Sequence, residues 1–143
     1  MATILLIDDH PDDAFVTDLE AAASCLVHRI PAHGLTAPMI CAGINAVDPV
    51  APMLIACTVA DASILPAIAL AQRAAHRRIE GYVLIEPTRV ATGDNWPEAP
   101  VFVTTSPTSP DAVGARLRGW TIVPADTVID QVNAIVNAVT SVG

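Results

Sequence analysis

The sequence predicts an α/β protein built on six short strands, forming a mostly parallel sheet with helices on both faces. Three observations carry this. Short continuous apolar runs recur along the chain, as expected of strands buried on both faces. Segments with apolar residues at helical spacing alternate with them, which implies right-handed strand–helix–strand crossovers. The composition is 52% hydrophobic, mostly Ala and Val, with only 3% aromatic, which suits helices packed closely on a sheet.

The first strand is Thr3 to Ile7, ending in Asp8-Asp9-His10-Pro11-Asp12-Asp13. Asp12 or Asp13 is placed to cap the next helix. Phe15, Leu19, Ala22 and Leu26 then recur at helical spacing. Leu26 to Ile30 reads as the second strand, with His33-Gly34 just beyond it, and Ala37 to Ala46 as a helix closed by Asp48-Pro49 and Pro52. Met53 to Cys57 is the third strand, leading through Thr58-Val59-Ala60 into a helix from about Asp61 to Arg77. Pro66 should kink that helix or mark a late start.

Gly81 to Ile85 is the fourth strand, Thr88 to Pro100 a loop, and Val101 to Thr104 the fifth strand. Ser109-Pro110-Asp111 opens a helix that Gly119 closes. Trp120 to Val123 is the sixth strand. A last helix starts near Thr127, with Asp130 at capping-box spacing, and should bury Val128, Ile129, Val132, Ile135, Val136 and Val139. At 143 residues the chain reads as a single domain, residues 1–143.

Charge and cysteine content narrow the function classes. The net charge is −8, with no Lys, so nucleic acid and anionic membranes are excluded as partners. A small molecule, a peptide or a partner protein fits better. Cys25, Cys41 and Cys57 are widely spaced and have no zinc-ligand spacing to His10, His28, His33 or His76, so no metal or cofactor is assigned. An oxygen-rich cluster of Asp8, Asp9, His10 and Asp13 would suit magnesium or calcium chemically, but nothing in the spacing fixes a geometry. The amino-terminal residues read as a strand rather than a signal peptide, so the expected location is the cytoplasm.

In parallel sheets, ligands bind beyond the carboxyl ends of the strands. The residues there are Asp8, Asp9 and His10, then His33, then Cys57 and Thr58 with Asp61, then Glu86, then Thr105 and Ser106, and finally Asp126. Asp8, Asp9, His10, Thr58 and Glu86 are the candidate catalytic groups. His33, Cys57, Asp61, Thr105 and Ser106 are the candidate ligand contacts. A thiol at a helix start would be activated, which makes Cys57 a candidate thiolate. Each also has a plainer reading: the aspartates as caps, Thr105 and Ser106 as turn residues, and Cys57 as a small core side chain.

The order of elements resembles the α/β-hydrolase family over nearly the whole chain, trimmed of its first strands and lid. TILLIDDH, VHRIPAHGL, IEGYVLIEP, WPEAPVFVTTSP and GWTIVPAD resemble successive strands of that family, and MLIACTVADA falls where its nucleophile elbow lies. The elbow Gly-x-Ser-x-Gly corresponds to Ala56-Cys57-Thr58-Val59-Ala60, with Thr in the nucleophile's place. The family's His after the last strand is missing, since no His follows His76. The opening ILLIDDHP also resembles response-regulator receiver domains, but Cys57-Thr58 and Thr105-Ser106 stand where those need Asp and Lys.

The first resemblance implies a non-hydrolytic protein on a degenerate hydrolase scaffold. It would bind a small molecule, peptide or partner protein at an acidic rim, as an accessory protein of a bacterial biosynthetic pathway. Two enzymatic alternatives stand beside it. One is isomerase, lyase or cyclase chemistry by Asp8, Asp9, His10 and Glu86. The other is a hydrolase or thioesterase with a Thr58 or Cys57 nucleophile. An uncovered sheet edge makes a homodimer, or a complex with a partner protein, the expected assembly.

Overall fold

The structure, a computed structural model, describes residues 3–9, 13–87, 96–105 and 115–142. Its strands are β1 (Thr3–Asp8), β2 (Leu26–Pro31), β3 (Met53–Cys57), β4 (Ile79–Ile85), β5 (Val101–Thr104) and β6 (Thr121–Ile122). Its helices are α1 (Ala14–Ala22), α2 (Ala37–Val47), α3 (Leu65–Ala74) and α4 (Val128–Val142), with a 3-10 turn at Ala62–Ile64 and a helical turn at residues 115–117. The cap expected at Ser109 lies outside the described residues.

The six strands form one sheet in the order β2-β1-β3-β4-β5-β6, and every neighbouring pair is parallel. The α/β expectation holds. Strands β1 and β3 are buried at every residue, which is why their sequences are continuous apolar runs without alternation. Leu5, Ile7, Ile55, Tyr82 and Leu84 pack on one face with Ile40 and Ile44 of α2 and Leu65 and Ile68 of α3. Ile4, Leu6, Leu54, Ala56 and Val83 pack on the other with Phe15 and Leu19 of α1 and Val132 and Ile135 of α4. Because β2 and β3 flank β1 and their crossover helices lie on opposite faces, the chain reverses direction across the sheet at the β1–β3 boundary. The carboxyl ends of these two strands form the crevice where such sheets take ligands.

Several local expectations need correction. The helix after β3 starts late. Asp61 caps the 3-10 turn by accepting from the Ser63 N–H at 3.1 Å, and α3 begins only at Leu65 with Pro66 in its first turn. Asp13 occupies the cap position of α1 but makes no side-chain capping bond. Val128 and Ile129 in the first turn of α4 are exposed, at 50% and 56%; the buried side begins at Val132. Gly119, at φ +75°, ends the helical turn before β6 as expected, with the Trp120 N–H reaching back to the Ala115 carbonyl and the Gly119 N–H to that of Arg116.

Candidate functional site

Asp8 closes β1 inside the sheet rather than at its surface, and is only 1% exposed. A carboxylate removed from water must be hydrogen-bonded or paired. Asp8 is both. Its Oδ1 accepts from the Thr58 hydroxyl at 2.7 Å, and its Oδ2 from Arg29 Nε at 3.0 Å. The pairing follows from register. Arg29 lies beside Leu6 across the β1–β2 ladder, so it shares a sheet face with Asp8 two residues on. Thr58 follows Cys57, which pairs with Ile7, and the Thr58 N–H donates to the Ile7 carbonyl at 3.0 Å. The Asp8–Thr58 bond therefore ties the ends of β1 and β3 together at the crevice. Arg29 also pairs with Asp13 at the start of α1, so its guanidinium ties β2 to β1 and α1, and β3 joins through Thr58 on Asp8.

This arrangement bears on the readings of Thr58. An activated nucleophile needs a base that can take its proton and a position open to substrate. Thr58 is 6% exposed and donates to a carboxylate already bound to an arginine. The elbow of the resemblance calls for a sharp, strained turn at the nucleophile. Left-handed backbone among the described non-glycine residues falls instead on Asp48, His76 and Glu86. Residues 58–64 separate β3 from α3.

Cys57 does not fit the activated-thiolate reading. Its side chain lies in the core, 1% exposed, and burial pushes its thiol up to about 12, with the Asp9 and Asp8 charges adding to the effect. The thiol points to the Val59 carbonyl at 3.8 Å. The missing helix start at this position removes the dipole that would have lowered its pKa. Cys25 and Cys41 are also raised by burial.

The remaining candidates stand on one rim, as parallel pairing requires, but not in one cluster. Asp9 is half-buried beyond β1, and His33 is exposed in the turn after β2. Asp61 is exposed and takes both the Ser63 N–H and hydroxyl. Glu86 is exposed at the end of β4 with φ +47°, its N–H bound to the Thr104 carbonyl at 2.9 Å. Thr105 is half-buried and Asp126 exposed. His10 and Ser106 lie outside the described residues. Among the described residues, no group of three His, Cys, Asp or Glu is placed to hold a metal ion.

Arg29 is the site residue that the sequence reading missed. A signal was present: an arginine inside a short apolar strand needs a carboxylate, and Asp8 ends the preceding strand. No protein-family model matches the chain, and no curated protein matches it. No helix among the described residues is long and apolar enough to cross a membrane.

Proposed function

We propose that this chain is a non-hydrolytic binding protein, on a scaffold resembling a trimmed α/β-hydrolase core, that takes a basic peptide or a basic segment of a partner protein at its carboxyl-end rim. The single observation that carries the reading is the use of Asp8. Both its oxygens are engaged, one by Thr58 and one by Arg29, at the point where a relative of the hydrolases would place its nucleophile. The pair acts as a fixed joint between β1, β2 and β3, and leaves neither a free base nor a free hydroxyl for covalent chemistry. The acid–base alternative loses Asp8 by the same geometry. Exposed Asp61, Glu86 and Asp126 and the net charge of −8 favour a cationic partner at that rim.

The reading is tested in two steps. Incubation with p-nitrophenyl acetate and with a short acyl thioester is expected to give no turnover beyond that of Thr58→Ala. Turnover that disappears in Thr58→Ala would restore the hydrolase reading. Titration with a hexa-arginine peptide, followed by amide chemical shifts, is expected to move the signals of Asp9, His33 and Glu86. Glu86→Gln should weaken that binding several-fold. Shifts confined to other parts of the sheet would remove the rim from consideration.

A further inference from the structure

On the side of the molecule away from β6 the sheet ends at β2, which has a neighbouring strand on one side only. Helix α2 lies directly on that edge. Its Gly43 approaches β2 so closely that a Cβ there would stand 3.5 Å from Ile30 Cγ2, while Ile40 and Ile44 fill the core beneath. The outer flank of α2 is exposed and apolar. Met39, Ala42 and Ala46 recur there at spacings of three and four, which puts them on one stripe. Met39 is 53% exposed. Leu35 before the helix, and Val47 and Val50 at its end, extend the exposed apolar surface, and Leu26 opens β2 at 57% exposed.

Two properties of this surface select its occupant. The first is charge. No ionisable residue occurs from Gly34 to Val47, in a chain that carries −8. Two copies repel across most of their surface, and here they can touch without bringing like charges together. The flanking charges are already paired, Arg29 of β2 with Asp8 and Asp13, and Asp48 after α2 with Arg77. The second property is shape. The bulk of the stripe lies at Leu35 and Met39, toward the start of α2, and the small residues Ala42 and Ala46 lie toward its end. An antiparallel copy sets bulk against small side chains on both sides of Ala42. A parallel copy would set Met39 on Met39 and leave a gap at the alanines. A two-fold axis normal to the sheet, beside β2, gives the antiparallel arrangement, and the same axis lays β2 antiparallel along its own copy.

We propose that α2 and β2 form the interface of a homodimer, with the second copy related by a two-fold axis normal to the sheet. The helix alone is too small for this. Its 11 residues make a cylinder about 16 Å long and about 10 Å wide, whereas a stable interface takes about 800 Å² from each partner. The β2 edge, with Leu26, supplies the rest, and its pairing removes the open strand edge that a lone chain presents. Because the strands of the two copies run antiparallel, their carboxyl-end rims open at opposite ends of the dimer and stay clear of the interface.

Sedimentation velocity of the full chain over a series of concentrations tests this. A monomer–dimer equilibrium is expected, and added sodium chloride should tighten it by screening the repulsion between two chains of charge −8. Met39→Glu and Ala42→Glu each set a carboxylate against its own copy and should weaken the dimer about tenfold or more. Leu117→Glu, before β6 at the opposite edge of the sheet, should leave it unchanged. Ala42→Cys should form an intermolecular disulfide under mild oxidation, beyond any formed by the parent, because the axis brings the two α-carbons together; Leu117→Cys should not. The cross-link decides the matter if a glutamate variant fails to fold. A monomer at every concentration, a dimer that salt weakens, one that survives both Met39→Glu and Ala42→Glu, one lost in Leu117→Glu, or cross-linking at Leu117→Cys but not at Ala42→Cys would each overturn the proposal.

Discussion

Thr58 donates to Asp8 where both side chains are out of water, so the loss of either leaves the other exposed to its full desolvation cost. Thr58→Val keeps the shape and removes the donor. It is expected to lower stability by about 1–3 kcal/mol in urea denaturation. A change within a few tenths would mean that Arg29 alone satisfies the carboxylate. Cys57 gives a pH signature. Its folded pKa is raised to about 12 from an ordinary 9.0, so between those values the unfolded chain has lost a proton that the folded chain keeps. Stability must therefore fall as pH rises through that window. Tyr82, raised in the same direction by burial and by Glu98, adds to the fall. Comparing urea midpoints at about pH 8 and about pH 10.5, the drop should be smaller in Cys57→Ala than in the parent. At this scale the sequence was partly legible. Asp8 could be placed at a strand end because the apolar run stops there. Its partners could not be read, because they depend on the register between strands distant in sequence.

Elements show a similar division. Strands β3 and β5 have the limits that the apolar runs imply, since a fully buried strand leaves an unbroken signature. Helix α3 is shorter than its pattern, because Asp61 and Pro66 both favour a start inside it. In α4 the periodic apolar residues begin a turn before the helix reaches the sheet. Periodicity identifies a shared face but not where a neighbour ends, so Val128 and Ile129 were expected in the core and are exposed. The β4 bulge, where the register with β3 passes from Met53 opposite Ile79 to Leu54 opposite Gly81, was not readable either, since nothing in Ile79-Glu80-Gly81 distinguishes an extra residue from a paired one. Gly81 does mark the place. Gly81→Ala would crowd Leu54 Cδ1 at 3.2 Å and Val142 Cγ1 at 3.3 Å. It is expected to cost about 1–3 kcal/mol by overpacking, seen as a lower melting temperature. A neutral result would show that α4 can slide outward.

For the whole molecule, the alternation of strands and helices was enough for the class and the parallel sense, because crossovers of this length return a strand in the same direction. The strand order was not, since it depends on which face each crossover takes. That order leaves β2 and β6 at the edges and puts β1, β3, β4 and β5 inside. It also gives α4 a distant task. It follows the edge strand β6 in sequence, yet it packs beside α1 over Leu54, Ala56 and Val83. Deleting residues 128–142 should therefore uncover that face and yield aggregated protein that binds a hydrophobic dye, rather than a folded chain lacking one helix. Soluble, cooperatively melting truncated protein would contradict this.

The same placement of α4 bears on how the chain comes off the ribosome. Strands β1, β2 and β3 are made first, and after β3 each new strand adds to the growing side of the sheet in the order of synthesis. One face can be closed early by α2 and α3, as their sequence becomes available. The other is covered only in part by α1 and waits for α4, so the nascent chain carries an open apolar surface until residues 128–142 have been made. Slowing translation before residue 128 would lengthen that exposure and make the chain more dependent on chaperones, without any change in its final stability.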